Sequence, residues 1–179
     1  PINETRYEAN ETVILTMGSP TNAIQGTTTV HTATITNDDS VTTVSWNVSS
    51  QSVSEGAGTA TITATLSNLT DNTVSIGYTN SGTATGSGGD YSITASPFTI
   101  AAGSSSASIT VTLVDDTRDE NNETVIVTMA TYSNATAGAN TVHTLTIEDN
   151  DPEPTASLSS TIASSGAEST ASKTIAVTL

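Results

Sequence analysis

The stretch DDTRDENNET, residues 115–124, sets Asp115, Asp116, Asp119, Glu120 and Glu123 within nine positions of a chain whose charged share is only 12%. Three further acidic groups stand elsewhere: Glu4, Glu8 and Glu11; Asp38 and Asp39; and Glu148, Asp149, Asp151 and Glu153. Together the four groups hold fourteen of the 18 acids, which is not the spread of an ordinary solvated face. Two carboxylates 4 Å apart repel by roughly 4 kcal/mol at an effective dielectric near 20. Such groups either splay into water or share a hard cation. Calcium takes about six to eight oxygens in flexible geometry, whereas magnesium keeps more of its water.

Strand ends must bring these acids together. In residues 40–151 the apolar pattern has a period of two: Val44, Trp46 and Val48; Ala60, Ile62, Ala64 and Leu66; Val74, Ile76 and Tyr78. It continues through Ala107, Ile109, Val111 and Leu113, then Val125, Val127 and Met129, and less regularly through Val142, Leu145 and Ile147. Clusters of Gly, Asn and Ser separate the runs, and no segment carries a helical period. With one more strand near residues 91–100, the pattern predicts an immunoglobulin-like antiparallel β-sandwich of about seven strands. Asp115 and Asp116 then close one strand, Glu120 and Glu123 open the next, and Asp149 and Asp151 close the last. Alternate strand ends in a sandwich meet at one pole.

The chain is also self-similar. Shifted by 112 positions, residues 3–39 align with 115–151 without a gap, and 20 of the 37 pairs are identical. NETVILTM (10–17) recurs as NETVIVTM (122–129), and TVHTATITNDD (29–39) as TVHTLTIEDND (141–151). At the other end TASLSS (155–160) matches TVSWNV (43–48), and ESTASKTIAVTL (168–179) matches EGAGTATITATL (55–66) after a slip of one residue. The expected division is residues 1–39 as the end of one repeat, 40–152 as a complete repeat and 153–179 as the start of another.

Composition narrows the chemistry. The net charge of −15, with Arg6, Arg118 and Lys173 as the cations, repels phosphate backbones and anionic lipid, so no nucleic-acid partner is expected. No apolar run has membrane-spanning length, so no membrane insertion is expected in this segment. There is no signal peptide and no initiating Met, which reads as a piece of a longer polypeptide. Without cysteine, neither a disulfide nor a thiolate metal site is available, and one Phe and one Trp make a thin core that needs another staple. His31 and His143 sit at the same repeat position with no nucleophile pattern around them, and no catalytic residue is assigned. GSGGD (86–90) lacks the strand–loop–helix setting of a phosphate loop. DDTRDENNE lacks the central Gly and flanking helices of an EF-hand.

DDTRDENNETVIVTM followed by TLTIEDNDP, with VSEGAG (53–58) and GGDYSI (88–93) before them, resembles the signature of the Calx-beta family. That family includes regulatory domains of sodium–calcium exchangers, a segment of integrin β4 and repeats of large bacterial surface proteins. The resemblance implies a Calx-beta-type sandwich in tandem and calcium ligands at Glu55, Asp90, Asp115, Asp116, Glu120, Glu123, Asp149 and Asp151, with the Arg118 carbonyl as a main-chain ligand. Asn150 stands where calcium-rich members carry Asp, which implies fewer ions or weaker binding. Asn3, Glu4 and Asn37 depart further in the preceding repeat, and Glu168 restores the early glutamate in the following one.

The function so implied is a calcium-binding structural or adhesive repeat of a secreted or cell-surface protein, with no enzymatic activity. Its expected partners are calcium and neighbouring repeats or like subunits. Two alternatives stand beside it: a filament subunit assembled by strand exchange, and a module recognising a glycan or host surface protein through SNLTDN, NSGTATGSGGD or SNATAGAN.

Overall fold

The computed structural model describes residues 2–158 and 176–178. Residues 40–151 form two five-stranded sheets packed face to face. One carries β3 (Thr43–Trp46), β5 (Thr59–Leu66), β7 (Tyr91–Ile93), β9 (Ser106–Leu113) and β11 (Thr136–Ala137), in the order β11-β3-β5-β9-β7. The other carries β4 (Ser50–Ser54), β6 (Val74–Gly82), β8 (Phe98–Ile100), β10 (Glu123–Ser133) and β12 (Val142–Glu148), in the order β4-β12-β10-β6-β8. The chain is an all-β sandwich.

Alternation explains the packing, since every second side chain of a strand points to one face. Val44 and Trp46, Ala60, Ile62 and Ala64, and Ile109, Val111 and Leu113 are buried from one sheet. Val74, Ile76 and Tyr78, Val125, Val127 and Met129, and Leu145 and Ile147 meet them from the other. Trp46 stacks on Phe98 across the sheets, ring centroids 5.7 Å apart and planes 13° apart. Around this pair the core is mostly Val, Ile, Ala and Leu, with Tyr78, Tyr91 and Met129.

The sandwich departs from the sequence expectation in four places. There are ten strand segments in residues 40–151, not about seven, because several predicted runs are broken. The first run switches sheets after Trp46, which leaves Val48 half exposed rather than in the core. The single strand expected near 91–100 is two, β7 on one sheet and β8 on the other, and Pro97 between them has no N–H to give a ladder. The sandwich is not wholly antiparallel either, since β4 runs parallel to β12 and β11 parallel to β3.

The irregular phase of the last run also resolves. His143, not Val142, takes the inward position with Leu145 and Ile147. The His143 ring is fully buried, and its Nδ1 lies 2.8 Å from the Val48 carbonyl, where the chain changes sheets. A carbonyl only accepts, so the ring proton sits on Nδ1. The histidine ties the switch point to β12, a structural role.

Register fixes the two poles. Val44 pairs with Leu66 and Thr65 with Ser106, so the start of β3, the loop after β5 and the start of β9 share one pole. Thr59 pairs with Thr112 and Glu123 with Ile147, so Glu55, the loop after β9 and the end of β12 share the other. Ahead of the sandwich, β1 (Glu11–Thr16) and β2 (Val30–Ile35) form a hairpin. Its pairing, Glu11 with Ile35 through Thr16 with Val30, reproduces that of β10 and β12 at the equivalent repeat positions, Glu123 with Ile147 through Thr128 with Val142. β13 (Ser157–Leu158) and β14 (Val177–Thr178) pair near the C-terminus. The expected match of residues 168–179, Glu168 included, lies almost wholly outside the described residues.

Candidate metal centre

Four segments deliver acids to one pole. β4 runs into a single turn of 3-10 helix, Glu55–Ala57, which turns the Glu55 side chain inward. β9 ends at Leu113 and its loop carries Asp115 and Asp116. β12 ends at Glu148, just ahead of Asp149 and Asp151. Asp90 sits in the turn before β7, its carboxylate held by the Thr85 N–H. Main-chain bonds lock these loops together: Leu113 N donates to Gly58 O (2.9 Å) and Val114 N to Asp90 O (2.9 Å). Glycines allow the close approach. A Cβ on Gly56 would lie 2.6 Å from Asn150 Nδ2, and Gly82, with φ at 124°, lies against the Thr124 carbonyl at the start of β10.

Two triads result. Glu55, Asp116 and Asp151 each place a carboxylate oxygen within 4.8 Å of the others, and so do Asp90, Glu120 and Glu123. Oxygens around one calcium ion lie about 2.4 Å from it, so pairwise separations up to about 4.8 Å suit that radius. All six groups are hard oxygen donors with no imidazole or thiolate among them, which disfavours zinc and copper.

Electrostatics sharpen the fit. Glu55 is only 8% exposed, and its Oε1 is buried without a hydrogen-bond partner, as is Asp151 Oδ2. Burial raises the Glu55 pKa above the usual carboxylate value, and the charges of Asp149, Asp151, Asp116 and Asp115 raise it further. Asp151 is raised by burial and by the charges of Asp149, Asp116 and Asp115, against a lowering contribution from the neighbouring Glu55 carboxyl. In the second triad Glu123 is pushed up to about 7, by burial first, then by the neighbouring Asp90 carboxylate and the charge of Glu120. A buried anion without a partner costs several kcal/mol, about what one well-placed cation removes. The residues present fit a divalent hard metal.

Not every expected ligand enters a triad. Asp149 stands between the two, its Oδ1 accepting the Glu120 N–H at 3.3 Å. Asp115 adjoins the first, and Asn150 Nδ2 donates to its Oδ1 at 3.4 Å, so the Asn of the closing triplet offsets a carboxylate rather than adding one. Arg118 enters through its N–H, which donates to Asp116 Oδ1 at 2.7 Å, so this main-chain group positions an acid.

Comparison with known proteins decides the family. The Calx-beta domain model matches residues 37–151. The chain belongs to the Calx-beta family. Solved structures agree on the fold. The apo form of the Calx CBD1 domain superposes with a TM-score of 0.57 at 18% identity, over 63% of this chain and 100% of that one. CBD12 from CALX1.2 gives 0.56 at 14% identity over 65% of this chain, and the calcium binding domain CBD12 of CALX1.1 gives 0.53 at 19% over 60%. The match spans 48% and 44% of those two chains. No curated protein sequence matches the chain.

Sequence reasoning missed Asn122. Its Oδ1 accepts the Asp149 N–H at 3.2 Å and so seats the closing acids of this Calx-beta domain. The signal was present in the alignment of the chain on itself: Asn10, 112 positions earlier, accepts the Asn37 N–H at 2.9 Å. An uncharged residue within an acidic run carries no such signal on its own.

Proposed function

We propose that this Calx-beta chain is a calcium-binding structural or adhesive repeat of a large extracellular or cell-surface protein. Residues 1–39, 40–152 and 153–179 are read as the end of one repeat, a complete repeat and the start of the next. Glu55, Asp116 and Asp151 hold one ion and Asp90, Glu120 and Glu123 a second, with Asp115 and Asp149 completing the shells. The carrying observation is that Glu55, buried with one unpartnered carboxylate oxygen, places a carboxylate oxygen within 4.8 Å of those of Asp116 and Asp151.

Calcium draws together the ends of β4, β9 and β12. Asp151 leads directly into Pro152 and residues 153–158, so occupancy stiffens the junction as well as the domain. No helix among the described residues is long and apolar enough to cross a membrane. With free calcium at a hundred times its dissociation constant, binding adds about 2.7 kcal/mol to stability. Thermal melting of the 179-residue chain should rise by about 10 °C on adding calcium and fall back with chelator. A melting temperature indifferent to both removes this reading.

A second reading has its own observation. Val13, Leu15 and Met17 of the hairpin are 45%, 62% and 55% exposed, whereas Val125, Val127 and Met129 at the same repeat positions are 0%, 0% and 5% exposed. Strands of a like repeat would cover that face. They come from the same polypeptide in an array, or from a neighbouring subunit in a filament. Sedimentation of the 179-residue chain over a concentration series separates the two, since only the filament grows with concentration.

A further inference from the structure

The loop after β5, SNLTDN at residues 67–72, does not stand free as a recognition loop would. It is built first from within. Thr43 N donates to Ser67 Oγ at 3.0 Å, Gly103 N to Thr70 O at 2.9 Å and Asn72 N to Thr70 Oγ1 at 3.2 Å. Thr70 is accordingly buried. The outer side of the same loop then takes two contacts from the preceding segment: Asp71 pairs with the Arg6 guanidinium, and Tyr7 forms a parallel β-bridge with Thr70. Asn68 Nδ2 donates to Ser40 O, at the start of the complete repeat, at 3.2 Å.

Arg6 and Tyr7 lie between Glu4 and Glu8, in the segment that corresponds to Asp116–Glu120 of the complete repeat. The loop at the pole opposite the triads, with Asp71 as its acid, is therefore seated on the acidic pole of what precedes it. We infer that residues 67–72 are the receiving surface for the acidic pole of a preceding like repeat, and that the arginine two residues after the acid pair is its docking cation. The bound partner is another copy of this repeat, not a glycan.

Polarity supports repetition. The chain enters β3 beside this loop and leaves β12 at the acidic pole, so repeats joined in sequence place loop against acids at every junction. Arg118, the repeat equivalent of Arg6, stands at the exit pole with its side chain 78% exposed and a 3.5 Å ion pair to Glu120. Its N–H is fixed to Asp116. One loop thus turns acids inward and presents its cation outward. An exposed ion pair is a weak interaction by itself, which is why the Tyr7–Thr70 β-bridge belongs to the same surface. The inference rests on the repeat reading given above and not on the ion.

The test uses the full chain, which has no cysteine, so that Thr12→Cys and Thr99→Cys accept spin labels on the hairpin and on the sandwich. Pulsed dipolar spectroscopy in calcium should give one narrow distance. Asp71→Lys or Arg6→Glu alone should widen the distribution about twofold, and the two together should narrow it again, because the swap restores opposite charges. A distribution broad in the parent chain overturns the inference. So do single variants as narrow as the parent, or a swap no better than either single. Calorimetry on the same proteins separates the two proposals. A junction that follows the charge swap while no calcium binds keeps the docking surface and removes the ion.

Discussion

The acidic pole of the sandwich and the acidic loop ahead of the hairpin share a frame but not a chemistry. Glu120 N donates to Asp149 Oδ1 at 3.3 Å, and at the equivalent repeat positions Glu8 N donates to Asn37 Oδ1 at the same distance. The Asn122 and Asn10 bonds correspond too. Yet among the described residues both carboxylate triads lie at the sandwich pole and none in the hairpin segment. The missing partners explain it. Glu55 and Asp90 come from segments outside the β9–β10 loop and the end of β12, and at the offset of 112 their equivalents fall outside residues 1–39. Local sequence builds the loop; the packed second sheet makes it a candidate site.

The same contrast holds for the core, where it predicts the largest effect. Met129 is buried between the sheets and Met17 is exposed on the hairpin. Met129→Ala should destabilise the sandwich by about 2–5 kcal/mol, whereas Met17→Ala should stay within about 0.5 kcal/mol, read from urea unfolding followed by Trp46 fluorescence. Equal losses would mean that the hairpin face is covered in solution, and the comparison between the two regions would fail there.

Glu55 comes next, and its variant changes sign with conditions. Glu55→Gln removes a buried anion, so in chelator the domain should gain about 1–3 kcal/mol. In calcium the same change removes a ligand, and affinity should fall at least about tenfold, or about 1.4 kcal/mol. Glu4→Gln in the hairpin loop should alter neither number. Calorimetry and melting on both variants check it.

Protons should compete with the metal at the same pole. In the absence of metal, Glu123 near 7 and the raised Glu55 and Asp151 keep protons in the folded state that the unfolded chain has lost. The folded state therefore binds more protons between the ordinary carboxylate range and about 7, and stability is lost as pH rises through that window. In chelator, acidification from pH 7 to pH 5 should raise the melting temperature. In calcium it should lower it, since the ligands must be deprotonated to hold the ion. The two melting curves should converge at acid pH. Parallel curves would separate the titrating groups from the metal.

Much of this was readable in the chain, for reasons that particular residues show. Strict alternation in ASITVTL and TVIVTM exposes β9 and β10 because a half-buried strand leaves no choice of face. The acids at Asp116, Glu120, Glu123 and Asp151 were legible because like charge concentrated at strand ends is costly unless something offsets it. Long-range geometry was not legible. Nothing near Val48 says that the chain will change sheets there, and nothing near His143 says that its ring will fill the inward position that the apolar pattern assigns to Val142. The partition of the acids into two triads depends on where Asp90 falls after two sheet crossings, which no local pattern encodes. SNLTDN reads as a free loop because its contacts with Arg6 and Tyr7 come from far upstream in the chain.

The smallest expected effect isolates the shared frame itself. Asn122 carries no charge and belongs to neither triad; it holds the Asp149 N–H from the side. Asn122→Ala should therefore leave the net charge of the pole unchanged and cost only the fixed position of the closing acids, about 1 kcal/mol or roughly fivefold in calcium affinity. Asn10→Ala removes the corresponding bond where no triad stands, and calcium binding should not notice it. Asn122→Asp adds a carboxylate but keeps an acceptor oxygen, so it should retain the position of Asp149. If Asn122→Ala binds calcium as tightly as the parent, the loop does not need its frame to place its acids. The likeness between the two regions would then record their common sequence and nothing about the site.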